Sequence, residues 1–317
     1  TIIGVDVGGT LLRAAAFDED LNLIERVEQP THAGRGPAVV LDRLYETIRQ
    51  VLPERPADLL GIGIVLPGPL EVHEGILIAP PNLPLRDAPI VALVEENVAR
   101  PVFIGNDADL AGLAEFMRGA GRGTEHMVYM TISTGIGGGI IVDGKLRTGR
   151  GMGGEIGHMV IVPDGPLCGC GRPGHLEAVA SGTAIARIAR ERLRAGEPSI
   201  LRDLVGGELG EVTAKTVGAA AHEGDPLALD IITQAGRYIG MMIASLMALL
   251  NPDMFVLGGG VTRVGRLLFD PMHEAIREYA QHPRYYENTP IVQAELGSDV
   301  GLIGAAALVK QRLGLQD

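Results

Sequence analysis

Apolar and polar positions along the chain follow two periods, and their order predicts a mixed α/β protein. Continuous apolar runs such as Ile2–Val7 and Leu59–Leu66 are typical of strands that are buried on both faces of a sheet. Apolar residues recur every three or four positions in Pro37–Leu52 and Asp225–Leu250, which predicts helices. The same patterns predict further strands at Leu11–Phe17, Leu21–Val27, Pro101–Ile104, Met127–Ser133, Ile140–Val142, Met254–Leu257 and Ile291–Ala294. They predict further helices at Pro89–Ala99, Ala178–Ala195, Thr213–His222, Pro271–Ala280 and Asp299–Leu313, and one that ends near Arg118.

Two segments share one design, in which a strand, a glycine turn with a hydroxyl and a second strand follow each other. They are GVDVGGTLLRAAAF near the N-terminus and YMTISTGIGGGIIV in the middle of the chain. Backbone N–H groups and a hydroxyl in such a turn can hold phosphate oxygens, although one such turn alone is equally well a plain hairpin. Because the design occurs twice, we interpret the segments as an internal duplication whose turns hold one nucleotide. The candidate residues are Gly8, Gly9, Thr10, Thr134, Gly135 and Gly137.

Three further positions suggest ligand contacts at the ends of strands. Asp6 precedes the first glycine turn and is placed to hold Mg²⁺, directly or through water, since hard cations prefer oxygen ligands. Asn106 and Asp107 follow a strand and open a helix, where they are either ligand-binding residues or helix caps. Gly259 lies in a glycine run after another strand, which allows either the close approach of an adenine or ribose or a tight strand-to-helix connection. Asn82, in a proline-rich loop, either donates to a sugar hydroxyl or caps a turn.

The only two cysteines form the sequence Cys168-Gly-Cys170 between two histidines, His158 and His175. Thiolates and imidazoles are the ligands that zinc prefers, and four of them close a structural site. The alternative is that the cysteines are small buried hydrophobic residues and the histidines unrelated. A disulfide within Cys-x-Cys is disfavoured by its strict geometry, so we favour zinc. Two acids lie just outside these four residues: Glu155 and Glu177.

Composition narrows the classes of function. A length of 317 residues predicts about two domains, and a formal net charge of −12 argues against binding nucleic acid. The most apolar stretch, Tyr238–Leu250, is too short to span a bilayer, so we expect no membrane contact. Without a recognisable signal peptide, and with cysteines that we expect to be reduced, a cytoplasmic location is predicted.

The motifs together resemble the bacterial ROK family (repressor, open reading frame, kinase), and within it the ATP-dependent glucokinases. The matching segments are DVGGT, APPNLP, GNDADLAGLAE, STGIGGGI, GEIGH, CGCGRPGHLEAVASG and NPDMFVLGGG. The resemblance implies an actin-like, ribonuclease-H-like two-domain ATPase fold with an interdomain cleft. The expected domains are residues 1–118, joined by the C-terminal helix at about 299–317, and residues 119–298, which carry the zinc loop.

The resemblance also implies roles for residues in a hexose kinase. Asp107 would be the base that takes the proton of the sugar 6-hydroxyl as this oxygen attacks the γ-phosphorus of MgATP. Asp6 would act through Mg²⁺, and the glycine turns would hold the phosphates. The sugar's other hydroxyls would bind to Asn106, Glu155, His158 and Glu177. The family pattern has a cysteine where this chain has His175, so the zinc set here would be two cysteines and two histidines: His158, Cys168, Cys170 and His175.

Several alternatives remain at the level of sequence. N-acetylmannosamine kinases and fructokinases share every motif quoted above. A sugar-responsive transcriptional repressor of the same family would carry a helix-turn-helix domain, and the acidic charge disfavours DNA. A catalytically silent sugar-binding protein is disfavoured by the intact Asp107 and glycine turns. By resemblance to the family, we expect a homo-oligomer, a dimer or a tetramer.

Overall fold

The computed structural model describes residues 1–315 and shows strands and helices that alternate along the chain. The strands are β1 (Ile2–Val7), β2 (Leu11–Phe17), β3 (Leu23–Pro30), β4 (Gly61–Leu66), β5 (Leu70–Glu71), β6 (Ile76–Leu77), β7 (Val102–Asn106), β8 (Met127–Ile132), β9 (Ile136–Val142), β10 (Lys145–Leu146), β11 (Met254–Gly258) and β12 (Ile291–Gln293). The α-helices are α1 (Pro37–Arg49), α2 (Ile90–Val98), α3 (Asp107–Arg118), α4 (Leu176–Ala180), α5 (Gly182–Arg194), α6 (Leu201–Leu204), α7 (Ala214–His222), α8 (Pro226–Leu250), α9 (Arg266–Tyr279), α10 (Arg284–Glu287) and α11 (Val300–Leu313).

The chain divides into two compact units. Unit 1 comprises Thr1–Tyr129, Gly139–Gly154 and the C-terminal segment from Ala294, whereas unit 2 comprises Met130–Gly138 and Glu155–Gln293. Parts of residues 119–298, such as Gly139–Gly154, therefore belong to the same compact unit as the N-terminal segment. The domain boundaries taken from the sequence follow a different criterion and stay a prediction.

Unit 1 contains a five-stranded sheet in the order β3-β2-β1-β4-β7. Strands β1, β4 and β7 are parallel, and Asp6 is in register with Val65, which is in register with Gly105. The carboxyl ends of parallel strands meet at one edge, so Asp6 and the start of α3 lie at the same edge of the sheet. Two strand spacings separate β1 from β7, which amounts to about 10 Å.

Helices cover both faces of this sheet because successive residues of a strand point to opposite sides. On one face, Val5 packs in a core with residues of α1 and α2, including Leu44 and Ile90. On the other face, α11 contacts β1, β4 and α3. A Cβ atom on Gly63 of β4 would lie 1.9 Å from the carbonyl oxygen of Ala305, so α11 lies directly against the strand backbone. Helix α3, which begins with Asp107, is thereby held against a rigid layer.

The second sheet has the order β10-β9-β8-β11-β12. The longest helix, α8, has 25 residues and contacts α9, α7, α5 and α4. Its buried residues surround most of the helix, which explains its apolar sequence as the core of a helical layer. Across residues 1–315, no helix combines the length and the apolar character that crossing a bilayer requires.

Most predicted elements are present, some with shifted ends, such as the strand predicted at Leu21–Val27 and observed at Leu23–Pro30. Three further differences have a clear physical reason. The single helix expected over Ala178–Ala195 is two helices, because the side chain of Ser181 accepts a hydrogen bond from the Ala184 N–H and caps α5. The predicted strand Ile140–Val142 begins already at Ile136, since its glycines lie in the extended strand β9. The helix predicted from Pro271 begins at Arg266, so this proline lies inside α9, where it donates no hydrogen bond.

Candidate active site

Asn106 and Asp107 lie where β7 ends and α3 begins. The Oδ1 atom of Asn106 accepts a hydrogen bond from the Ala108 N–H at 2.9 Å, and Oδ1 of Asp107 accepts from the same group at 2.9 Å. Asn106 is therefore the cap of α3, the structural alternative that the sequence left open. One capping residue is sufficient for the helix, so the carboxylate of Asp107 is available for chemistry.

The environment of Asp107 raises the pKa of its carboxyl above the ordinary value of 3.8. The residue as a whole is exposed, yet enough protein atoms lie around its carboxylate to reduce the carboxylate's hydration. This desolvation is the main cause of the higher pKa, and the negative charge of Asp6 raises it further, while hydrogen bonding to the Ala108 N–H opposes the change. A carboxylate of raised pKa at a strand end has the properties of a general base.

Asp6 is paired with Arg13, a partner that the sequence analysis missed. The guanidinium of Arg13 hydrogen-bonds the Asp6 carboxylate and also donates to the carbonyl oxygen of Ser298 at 2.8 Å. The two residues are opposite each other on β1 and β2, so the hairpin register predicts this cross-strand pair. Mg²⁺ usually keeps several water or phosphate ligands and needs only one or two carboxylates from the protein, so a single carboxylate at this position is a suitable donor. Asp6 therefore fits a magnesium role.

The first glycine turn joins β1 to β2, and Thr10 at its end is exposed. Thr31, which is completely buried, holds the turn: its hydroxyl donates to the Gly8 carbonyl oxygen at 2.6 Å, and its N–H donates to that of Thr10 at 2.9 Å. A Cβ atom on Gly9 would lie 2.6 Å from the carbonyl oxygen of Asn82. Asn82 and the first glycine turn therefore lie close together, although each was predicted as a ligand contact from a separate segment of the sequence.

The second glycine turn joins β8 to β9 and is held by the start of α5. The N–H of Gly182 donates to the Ser133 carbonyl oxygen at 2.7 Å, and the hydroxyl of Thr183 donates to that of Thr134 at 2.8 Å. The turn after β11 packs beside it, because a Cβ atom on Gly259 would lie 2.3 Å from the Ile132 carbonyl oxygen. Gly137, the remaining glycine candidate, is the second residue of β9.

A cavity of about 710 Å³ opens beside the second turn. Thr134 and Gly260 contribute to its wall, together with residues of α5 and α7. Four of the described lining residues carry basic side chains, and none is acidic: Arg190, Lys215, His222 and Arg263. A lining of this charge suits an anion of nucleotide size. These residues could not be predicted from the sequence as a group, because they come from distant segments and no local motif connects them.

The four residues of the predicted zinc site converge. Their ligand atoms all lie within 4.8 Å of one another. The Cys168 sulfur is 3.6 Å from Nδ1 of His158, and the Cys170 sulfur is 3.3 Å from Nδ1 of His175. A tight turn places both sulfurs on one side, since the Cys168 N–H donates to the Arg172 carbonyl oxygen at 2.8 Å.

These distances fit a tetrahedral zinc ion. Zinc–sulfur and zinc–nitrogen bonds of about 2.3 and 2.0 Å give ligand-to-ligand distances of roughly 3.5 Å. Burial, as the main cause, raises the pKa of Cys168 to about 11, so the metal-free thiol keeps its proton at neutral pH. Zinc binding must displace this proton, and zinc affinity is therefore expected to rise with pH. A set of two cysteines and two histidines, including His175, is compatible with structural zinc.

The two acids near the cluster have different surroundings. Glu155 is exposed, and its carboxylate lies 3.9 Å from Nε2 of His158, so the two ring nitrogens of this histidine face different partners. Glu177 is partly buried, and its Oε2 accepts a hydrogen bond from the Ile136 N–H at 2.9 Å. Glu155 is therefore open to a ligand, whereas Glu177 contacts the second glycine turn.

Proteins of known function resemble this chain along its whole length. The glucokinase of Thermotoga maritima is 37% identical over 315 residues, which cover 99% of this chain and 98% of that protein. The N-acetylmannosamine kinase of Salmonella typhi is 35% identical over 315 residues, covering 98% of each. The crystal structure of a ROK family glucokinase from Streptomyces griseus in complex with glucose and AMPPNP has a TM-score of 0.78 and 34% identity, covering 98% of this chain and 99% of that one. The expected actin-like, two-domain fold is thereby confirmed. Since the ROK family matches residues 2–312, the chain belongs to the ROK family.

Proposed function

We propose that the protein is a hexose kinase that transfers the γ-phosphoryl group of ATP to the 6-hydroxyl of glucose. The observation that carries the proposal is the position of Asp107, at a strand end beside Asp6, with a carboxyl pKa raised by desolvation. The glucokinases among its relatives support the choice of glucose and of ATP.

Asp107 is assigned the role of general base. It accepts the proton of the 6-hydroxyl while that oxygen attacks the γ-phosphorus and the bond to the ADP oxygen breaks. A raised pKa makes Asp107 a stronger proton acceptor than an ordinary aspartate. Phosphoryl transfer needs little else from the protein beyond positioning and neutralised charge.

Donor binding is assigned to the two glycine turns and to the basic cavity. Backbone N–H groups at Gly8, Gly9 and Gly135, with the hydroxyls of Thr10 and Thr134, bind phosphate oxygens. Asp6 would hold Mg²⁺, directly or through water, and this ion would supply neutralising charge at the phosphates. The cavity beside Thr134 holds the rest of the nucleotide, and Gly259 directly precedes Gly260 of its wall.

Sugar binding is assigned to Asn82, Asn106, Glu155, His158 and Glu177. Carboxylates suit this role because each can accept hydrogen bonds from two adjacent hydroxyls. His158, Cys168, Cys170 and His175 would hold a zinc ion with four protein ligands and leave it no open position, so zinc would shape the loop and take no part in the transfer.

N-acetylmannosamine is the second candidate substrate, favoured by the relative from Salmonella typhi. A coupled assay of ADP release with ATP and glucose, mannose, fructose, N-acetylglucosamine or N-acetylmannosamine separates the candidates. We expect the highest kcat/KM with glucose. A higher value with N-acetylmannosamine would replace glucose as the substrate, and no turnover with any sugar would contradict the hexose kinase.

A homo-oligomer, dimer or tetramer, and a cytoplasmic location belong to the same proposal. The resemblance to ROK kinases supports the oligomer, and the two cysteines, expected in the reduced state as zinc ligands, support a reducing compartment. Sedimentation of the purified protein measures the oligomeric state.

A further inference from the structure

The peptide groups of Ile136 are held on both sides by the segment that carries the zinc ligands. Ile136 is the first residue of β9 and follows the turn Thr134-Gly135 directly. Its N–H donates to Oε2 of Glu177 at 2.9 Å. Its carbonyl oxygen lies against Gly157, where a Cβ atom would approach it to 2.0 Å. The turn therefore has no space to shift without moving one of these two neighbours.

Both neighbours are adjacent to residues of the metal cluster. Gly157 precedes His158 in the short 3₁₀ helix Ile156–His158. Glu177 follows His175 by two residues in the first turn of α4, and its Oε1 accepts a hydrogen bond from the Cys168 sulfur at 3.5 Å. In the metal-free protein, Glu177 thus contacts the cluster through one carboxylate oxygen and the turn through the other. Zinc binding displaces the Cys168 proton, and Glu177 is then joined to the cluster through the short backbone segment that connects it to His175.

The lack of space around Gly135 shows that Glu177 also lies directly against the turn. A Cβ atom on Gly135 would lie 2.3 Å from Oε2 of Glu177, so the carboxylate occupies the position that a side chain would need. A carboxylate that accepts from a backbone N–H forms a charge-assisted hydrogen bond, which is stronger than a neutral one. The Glu177 carboxylate therefore limits how far the Thr134-Gly135 turn can move.

We infer that Glu177 is a positioning residue that links the zinc cluster to the Thr134-Gly135 turn, so that zinc binding and nucleotide binding strengthen each other. Zinc fixes His158, Cys168, Cys170 and His175 relative to one another, and with them Gly157 and Glu177. These two residues then hold Ile136, and the turn keeps its N–H groups in the arrangement that binds phosphate. The inference rests on the proposed function only in the assumption that this turn binds the donor nucleotide.

Calorimetry of AMPPNP binding to the whole chain tests the coupling between zinc binding and nucleotide binding. Binding of AMPPNP with Mg²⁺ is measured to zinc-loaded and to chelator-washed protein, with the zinc content of each determined by metal analysis. We expect close to one zinc per loaded chain and an AMPPNP Kd that is on the order of 10-fold higher after zinc removal. Coupling is reciprocal, so saturating AMPPNP should strengthen zinc binding against a competing chelator by the same factor.

Variants of Glu177 test the route of the coupling. With zinc loaded, Glu177→Ala should weaken AMPPNP binding on the order of 10-fold and remove the effect of zinc. Glu177→Gln should keep most of the affinity, since its amide oxygen can still accept from the Ile136 N–H. Glu278→Ala is the matched control, because this exposed acid of the same unit pairs with Arg237 on the helical layer.

The outcomes separate this inference from the proposed function. Equal AMPPNP affinity with and without zinc overturns the inference, while turnover of glucose would still support the kinase. No AMPPNP binding to either form overturns both. If the zinc-free protein unfolds, which circular dichroism detects, the loaded Glu177→Ala variant decides alone: unchanged AMPPNP affinity overturns the inference.

Discussion

The two glycine turns share a backbone design but differ in everything that surrounds them. In unit 1, Thr31 is completely buried and binds two carbonyl groups of the first turn. In unit 2, the start of α5 and the carboxylate of Glu177 hold the second turn. The two turns therefore share the order strand, turn, strand, whereas the residues that hold them come from unrelated parts of the sequence.

The charges beside the turns differ as well. Asp6 and Asp107 lie at the sheet edge that carries the first turn, and the negative charge of Asp6 raises the pKa of the Asp107 carboxyl. The second turn borders a cavity with basic side chains. Turns of similar backbone therefore have neighbours of opposite charge, with acids in unit 1 and basic side chains in unit 2.

Removing the acid beside the first turn should have the largest effect. Asp107→Asn is expected to lower kcat about 10³-fold, because the loss of a general base typically costs 10² to 10⁴ in rate. AMPPNP affinity should stay close to that of the parent protein, since the basic cavity lies in unit 2. The coupled assay and calorimetry measure both quantities. Asp143→Asn, which removes an exposed partner of Arg147, is the control, and near-normal turnover of Asp107→Asn would remove the residue from the base role.

The supports of the two turns can be compared by deleting one hydroxyl from each. Thr31→Val removes a buried hydrogen bond to Gly8 and should lower the free energy of unfolding by about 1–2 kcal/mol. Thr183→Val removes an exposed hydrogen bond to Thr134 and should lower it by less than about 0.5 kcal/mol, because water replaces the lost partner. Urea denaturation measures both. Equal losses would show that the two turns are supported alike.

The smallest expected effect is the dependence of kcat/KM on pH. Asp107 must be ionised to accept a proton, and its raised pKa means that it protonates at a higher pH than an ordinary aspartate. The kcat/KM for glucose should therefore fall as pH decreases, with a midpoint above about 4. Zinc content is measured at each pH, so that loss of metal is distinguished from protonation of the base. A profile that stays flat down to pH 4 would contradict the assignment.

The sequence predicts much of this structure where the information is local. The strands β1, β2 and β7 are predicted by apolar runs. Asp107 is predicted as a candidate site residue by its position between a strand and a helix. The convergence of the four predicted zinc ligands follows from their chemistry and from their spacing within one short segment. The break at Ser181 was missed because the apolar period continues across it, although a serine before a glycine is a sequence signal for a helix cap.

Features that depend on distant segments could not be predicted. The basic cavity combines residues from α5, α7 and the turn after β11. The contact between Glu177 and Ile136 joins residues that are 41 positions apart. Neither contact has a periodic signature, since a hydrogen bond to a backbone N–H constrains the acceptor atom and leaves the surrounding sequence free.

The packing of α11 against β1 and β4 has a consequence for synthesis of the chain on the ribosome. The strands of the first sheet emerge early, but the helix that covers one of their faces is translated near the end. At ~5–20 residues per second, the interval between β7 and α11 lasts roughly 10 to 40 s. During this time an apolar sheet face is open to water, where it can be bound by a chaperone or by another nascent chain. Unit 1 is therefore first in sequence but among the last parts of the molecule to be completed.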